Sequence, residues 1–75
     1  MIKVTVGNNL KRETVIVDSG ATLRNVLEEA GVDYTRGITT LDGATLAAGD
    51  LDKSFADFGI AERTFLLNVV KADNA

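Results

Sequence analysis

The side chains in this sequence that could bind a metal ion are four aspartates in its second half, Asp42, Asp50, Asp52 and Asp57. Carboxylate oxygens suit hard cations, but a calcium loop also needs a glycine at its sixth position and a bidentate glutamate at its twelfth. Counted from Asp50, those two positions hold Phe55 and Ala61, so the spacing does not fit. We interpret these aspartates as turn and cap residues, and we expect neither a metal nor another cofactor.

The sequence lacks two of the residue types that most often catalyse reactions. It has no histidine and no cysteine, which removes the commonest general base, the commonest nucleophilic thiol and most transition-metal ligands. Glu28 and Glu29 are paired carboxylates, but adjacent residues of a helix point in different directions and cannot share a proton. We therefore expect a protein that is not an enzyme.

The length and net charge of the chain argue against several further classes of function. Seventy-five residues make one small domain, and the formal charge of −3 argues against a nucleic-acid partner, which requires clustered cations. No apolar run is long enough to span a membrane, and the first residues have the pattern of a strand instead of a signal peptide. The absence of cysteine suits a reducing compartment, so we expect a cytoplasmic protein without disulfides.

A short amphipathic helix organises the chain. Its apolar residues recur at intervals of three and four, which places them on one helical face: Leu23, Val26, Leu27 and Ala30. Thr22 stands where its hydroxyl can cap the first turn, and Gly31 stands where a left-handed residue can end the helix. A helix this short is marginal alone, so it must pack on a sheet.

Strand patterns surround the helix. Residues 2–6 alternate apolar and polar, and residues 13–18 form a second β-branched run, which predicts a hairpin with Ile16 pointing outward. Residues 38–41 and 44–47 flank the turn Asp42-Gly43 and predict two further short strands. After a loop at residues 48–53, residues 54–60 predict one tight turn whose apolar side chains pack on the core.

The last strand, residues 64–70, is almost continuously apolar and suits a central position in the sheet. With Asn68 facing solvent, the alternation places Phe65, Leu67 and Val69 in the core and leaves Leu66 and Val70 outward. A slip by one residue would exchange the two faces. We expect a single domain over residues 1–71 and a flexible tail over residues 72–75.

The order ββαββ-turn-β resembles the β-grasp fold of ubiquitin-like proteins. Residues 17–26 look like the segment that leads into the ubiquitin helix, and residues 41–46 are similar to its turn between the third and fourth strands. Residues 54–60, followed by Thr64-Phe65-Leu66, are similar to its last turn and last strand. The resemblance implies an α+β fold, a mixed sheet with one helix packed across it.

The resemblance also implies functions that this sequence does not match. The link from the helix to the third strand is shorter than in ubiquitin, as in small bacterial relatives that include sulfur carriers. Carriers and covalent modifiers of this family end in Gly-Gly, whereas this sequence ends in Asp73-Asn74-Ala75. A carrier or modifier with a non-standard tail is therefore the alternative to a non-covalent module. Iron–sulfur relatives need four cysteines and are excluded.

In ubiquitin-like domains, partners often dock on the outer face of the sheet. The matching positions here are Leu10, Thr40, Leu66 and Val70, with Ile16 beside them if the alternation over residues 13–18 holds. Three cations could orient a partner there, Lys3, Lys11 and Arg12. The alternative is that these side chains are scattered surface residues. We expect an unidentified protein partner, no nucleic acid, no membrane, and a monomer or weak homodimer. Tyr34 is either an exposed anchor or a lid over the helix.

Overall fold

The computed structural model describes residues 1–70. The predicted tail, residues 72–75, lies outside the described residues. Five strands and one α-helix follow one another along the chain: β1 (Ile2–Asn8), β2 (Arg12–Val17), α1 (Leu23–Glu29), β3 (Ile38–Leu41), β4 (Ala44–Thr45) and β5 (Arg63–Val69). Two 3₁₀ turns, Ala48–Asp52 and Ala56–Phe58, connect β4 to β5.

The helix forms as its sequence predicts. The hydroxyl of Thr22 accepts a hydrogen bond from the backbone N–H of Asn25 at 3.1 Å, which satisfies one of the unpaired donors of the first turn. Gly31 follows the helix with φ of 74°, a left-handed conformation that glycine adopts without a Cβ clash. Leu23, Val26 and Leu27 are buried. Capping and amphipathicity thus place one apolar face of α1 against the sheet.

The first hairpin also follows the predicted alternation. Ile2, Val4 and Val6 are buried beneath the helix, and Ile16 on β2 points to the opposite side and is exposed. The carboxamide of Asn8 closes the hairpin loop, since its Oδ1 accepts the backbone N–H groups of Leu10 and Lys11 at 2.8 Å each. This contact fixes the antiparallel register of β1 and β2.

The second half departs from the predicted elements in two places. β4 contains only Ala44–Thr45, shorter than the predicted strand over residues 44–47, and the predicted loop over residues 48–53 contains a 3₁₀ turn. The backbone N–H of Ala47 donates to the Asp50 carboxylate at 2.9 Å, so the chain turns there instead of extending the strand. The tight turn near residue 58 is confirmed, and Phe55 beneath it is fully buried.

The five strands form one mixed sheet in the order β2-β1-β5-β3-β4. β1 and β5 are parallel neighbours at the centre, and the other pairs are antiparallel. Helix α1 lies across one face, and the core fills the space between them. These elements make the α+β fold with a mixed sheet and one helix that the sequence predicts.

The predicted orientation of β5 is wrong by one residue. Leu66 has 0% of its surface exposed and Asn68 has 1%, whereas Phe65 is 49% exposed and Val69 is 40% exposed. In the parallel ladder Leu66 pairs with Val6, whose side chain faces the helix, so the side chain of Leu66 faces the same way. Leu66 is therefore a core residue and not part of the outer face.

The buried amide of Asn68 explains why a polar residue sits on the helix side. Its Nδ2 donates to the carbonyl oxygen of Arg36 at 2.9 Å and to the Oγ1 of Thr39 at 3.0 Å. These bonds join β5 to β3 and to the segment that precedes β3. Gly37 follows with φ of 73°, and a Cβ there would lie 2.3 Å from the carbonyl oxygen of Val69. The close approach of Gly37 to Val69 and the hydrogen bonds of the Asn68 amide together favour the observed orientation of β5.

We expect Leu66→Ala to lower the free energy of unfolding by about 2–5 kcal/mol, because it leaves a cavity in the core. The matched variant Phe65→Ala removes a half-exposed side chain on the other face and should cost less than about 1 kcal/mol. Chemical denaturation of both purified variants measures the difference. A larger loss for Phe65→Ala would mean that the predicted register, not the observed one, is correct.

Two buried threonines give a second test. The Oγ1 of Thr64 is buried and has no hydrogen-bond partner within residues 1–70, whereas that of Thr39 accepts from Asn68. Thr64→Val keeps the side-chain shape and removes an unsatisfied hydroxyl, so it should raise stability by up to about 1 kcal/mol. Thr39→Val should lower it by about 1–2 kcal/mol, because an amide N–H of Asn68 loses its acceptor.

Calorimetric melting temperatures measured in the same buffer compare the two valine variants. A drop in melting temperature for Thr64→Val as large as that for Thr39→Val would contradict the assignment of Thr64 as unsatisfied.

Candidate functional site

The candidate site is the sheet face opposite the helix, called here the outer face. Strand register assigns its residues, because paired residues point to the same side. From β2 across to β3 the outer-facing side chains are Arg12, Thr14, Ile16, Lys3, Thr5, Arg63, Phe65, Leu67, Val69, Ile38 and Thr40. No helix covers this face in the described part of the chain.

Four apolar side chains form a continuous stripe on the outer face. Phe65, Leu67 and Val69 alternate along β5 and therefore lie in a row. Ile38 on β3 is paired directly with Val69, which extends the row sideways. Phe65 and Ile38 each expose almost half of their surface. We call these four residues the apolar stripe.

Cations border the apolar stripe. Among the strand residues of the outer face in residues 1–70, the charged side chains are those of Lys3, Arg12 and Arg63, with no carboxylate. Asp42 lies in the turn after β3, and its Oδ1 accepts the backbone N–H of Phe65 at 2.9 Å. The outer face is thus positive although the whole chain carries a formal charge of −3.

The structure places the residues predicted for the site in three locations. Lys3, Arg12, Ile16 and Thr40 lie on the outer face, and Lys3 pairs directly with Ile16. Leu10, Lys11 and Val70 lie at the end of the sheet, where Leu10 and Val70 line one shallow depression with Asp33 and Arg36. Leu66 lies in the core.

The sequence interpretation missed the members of the apolar stripe. The sequence pattern predicts Phe65, Leu67 and Val69 for the core, and it gives Ile38 no place in the site. The misleading signal was the single polar residue Asn68, which suggested the wrong solvent-facing side of β5. The pairing of Leu66 with Val6 resolves the orientation, but such pairing is not visible within β5 itself.

The helix side of the molecule has a different chemistry, because its cations are paired. The Nε of Arg24 donates to the Asp52 carboxylate at 2.8 Å, and its guanidinium lies 5.4 Å from the centre of the Tyr34 ring. The hydrogen bonds to Asp52 and Tyr34 raise the pKa of Arg24 above its ordinary value. The hydroxyl of Tyr34 donates to Glu28 at 2.7 Å, so this tyrosine is the lid over the helix. These charges stabilise the helix packing.

Two of the four aspartates that could suggest a metal site, Asp50 and Asp57, act as turn residues. The Asp50 carboxylate accepts from the backbone N–H of Ala47, and the Asp57 carboxylate accepts from that of Ser54. These hydrogen bonds favour the ionised form, and both pKa values lie below the ordinary range for aspartate. Within the described residues, no three acidic side chains gather into a possible metal site.

One further structural feature bears on membranes. In the part of the chain that the structure describes, α1 is seven residues long, and no helix has the length and apolar character needed to cross a bilayer.

Comparison with known proteins identifies the fold. No protein-family model matches the sequence, and no curated protein matches it. The solution NMR structure of the ubiquitin-like domain of Arabidopsis thaliana protein At2g32350 matches with a TM-score of 0.72 and 26% identity, over 99% of this chain and 81% of that one.

A second structure of the same Arabidopsis protein, determined from evolutionary couplings and sparse NMR data, gives a TM-score of 0.62 at 26% identity. It covers 97% of this chain and 89% of that one. The element order, the mixed sheet, the helix packed across one face and these two matches agree. The chain has the ubiquitin-like β-grasp fold.

Proposed function

We propose that this protein is a non-enzymatic interaction module that binds a larger protein through the outer face of its sheet. The ubiquitin-like fold supports a protein-interaction role in general. The observation that carries the specific proposal is the apolar stripe, a row of half-exposed side chains on a face without a covering element in the described chain. A cytoplasmic location belongs to the same proposal.

The apolar stripe has the properties of the centre of an interface. Val69 and Ile38 are paired neighbours, Phe65 lies on the same row of β5 beyond Leu67, and each of the three exposes at least 40% of its surface. Clustered exposed apolar side chains on a small domain mark interaction sites more often than scattered ones do. The backbone beneath them is held in the sheet, so little conformational entropy is lost when a partner covers the stripe.

The charges on the outer face define the chemistry of the partner. Lys3, Arg12 and Arg63 form no salt bridge within residues 1–70, where the ion pairs are Arg24–Asp52 and Lys53–Asp50. A partner with apolar side chains flanked by carboxylates would match both the stripe and the cations. Such complementarity mainly speeds association and sets orientation, and its contribution weakens as salt increases.

The remaining predicted residues extend this surface. Ile16 and Thr40 lie on the outer face, beside Lys3 and Leu67 respectively. Leu10 is 88% exposed on the loop between β1 and β2, next to Lys11. With Val70, they form the periphery of the proposed interface at the end of the sheet. We expect them to contribute less than the stripe, because peripheral contacts stay partly hydrated.

The test compares two single-glutamate variants. Phe65→Glu places a carboxylate in the centre of the apolar stripe, and Asn25→Glu places one on the exposed side of the helix. Both variants and the wild type, immobilised through an amino-terminal tag, are used to capture proteins from the native host. Captured proteins that depend on Phe65 are then produced recombinantly and titrated by calorimetry at two salt concentrations.

We expect Phe65→Glu to weaken binding by at least about tenfold, because it removes a central apolar contact and adds like charge opposite an acidic partner. Asn25→Glu should leave the affinity unchanged, and added salt should weaken wild-type binding. Melting temperatures within a few degrees of the wild type establish that both variants are folded. A partner lost with Asn25→Glu and retained with Phe65→Glu would refute the outer-face proposal.

A further inference from the structure

The two edges of the sheet differ in how well they are protected from pairing. The edge strand β4 has two residues, Ala44–Thr45, and presents little backbone to another chain. The opposite edge, β2, has six residues, of which the last four, Thr14, Val15, Ile16 and Val17, carry no charge. Proteins usually blunt exposed edges with proline, lysine, bulges or short length, and the centre of β2 has none of these.

The alternation of hydrogen bonds along β2 shows which of its backbone groups bond to β1 and which point away from it. The backbone N–H of Asn8 donates to the carbonyl oxygen of Lys11 at 2.9 Å, which makes Asn8 and Lys11 a hydrogen-bonded pair. Because such pairs alternate along an antiparallel ladder, Glu13, Val15 and Val17 bond to β1. The N–H and C=O groups of Arg12, Thr14 and Ile16 therefore point away from the sheet. Within residues 1–70 they form an unpaired edge.

We propose that β2 pairs with β2 of a second copy of this chain, antiparallel and centred on Val15. In this register Thr14 faces Ile16 of the copy and Ile16 faces Thr14, so the outward backbone groups of both residues are satisfied. Val15 faces its own counterpart across the two-fold axis, as a non-hydrogen-bonded pair of β-branched side chains. Such pairs have the closer Cα spacing of an antiparallel ladder.

Charge complementarity selects this register over its neighbours. Centred on Val15, Arg12 lies opposite Asp18 of the copy, and Asp18 lies opposite Arg12, which gives two opposite-charge pairs. Both residues are exposed, and neither side chain makes a hydrogen bond or salt bridge within residues 1–70. Centred on Thr14 instead, Arg12 would face Ile16 and no charge would be matched.

The dimer would keep the apolar stripe accessible and duplicate it, although Arg12 would then be paired with Asp18 of the copy. A two-fold axis that relates antiparallel edge strands runs perpendicular to the sheet, so both apolar stripes would lie on the same side of a ten-stranded sheet. Both helices would lie on the other side. A protein partner with two docking segments would then bind more tightly than one with a single segment, through a higher effective concentration.

Three measurements on the purified chain test the dimer without any partner protein, so the result does not depend on the proposed docking function. One edge contact buries much less than the roughly 1,600 Å² of a standard interface, so we expect a dissociation constant between about 10 µM and 1 mM. Sedimentation equilibrium across that range should show a monomer–dimer equilibrium. A chain that stays monomeric up to about 1 mM overturns the proposal.

Cysteine cross-linking tests the register, since the native chain has no cysteine. Under mild oxidation, Val15→Cys should give a disulfide-linked dimer, because the two introduced thiols face each other across the axis. Thr14→Cys and Ala44→Cys are the controls, one for a shifted register and one for the β4 edge. We expect at least about fivefold slower cross-linking for both controls. Equal or faster cross-linking of either control refutes pairing centred on Val15.

Charge reversal tests the ion pairs independently. Arg12→Glu alone and Asp18→Arg alone should each weaken the dimer several-fold, because like charges then face each other. The double variant should restore the wild-type dissociation constant, since each pair again has opposite charges. A double variant as weak as the single variants would contradict the proposed contact between Arg12 and Asp18 of the copy.

Discussion

One short helix lies across a five-stranded sheet, and it covers only one of the two faces. The packing of Leu23, Val26 and Leu27 against Ile2, Val4 and Val6 is the contact on which the structure depends. A seven-residue helix has little stability in water by itself, and a sheet without a covered face has no core. Each element therefore needs the other, and the outer face is left to solvent.

The pairing of β5 with β1 at the centre of the sheet determines which side chains of β5 face the helix. Val6 faces the helix, so its neighbour Leu66 must face the helix as well. Asn68, two residues further along, is then buried, where its amide bonds to Arg36 and Thr39. The cost of burying a polar side chain is offset by these hydrogen bonds. The same alternation forces Phe65 and Val69 outward and creates the apolar stripe.

The distribution of charge follows the division between the two faces. On the helix side, Arg24 and Lys53 are bonded to Asp52 and Asp50, and their charges serve local packing and turn geometry. On the outer face, Lys3, Arg12 and Arg63 surround apolar side chains without a carboxylate from any strand in residues 1–70. A chain that is acidic overall thus presents a positive, partly apolar surface. This asymmetry is the basis of the proposal that an acidic protein docks on that face.

The elements that carry local signals can be predicted from the amino-acid sequence alone. Apolar periodicity and the caps Thr22 and Gly31 define the helix, alternation defines β1, and Asp42-Gly43 defines the turn after β3. These features arise from contacts within a few residues, so they can be predicted from a single sequence. The order of elements was then enough to predict the β-grasp architecture.

The buried face of β5, and with it the composition of the candidate site, depends on contacts between residues that are distant in sequence. Every residue from Phe65 to Val69 except Asn68 is apolar, so the strand carries no strong preference of its own for either face. The choice depends on pairing with Val6, more than fifty positions away, and on the amide contacts of Asn68 across 29 and 32 positions. Leu66 could not be separated from Phe65 by local pattern, because the partners that distinguish them are distant in sequence and adjacent only in the fold.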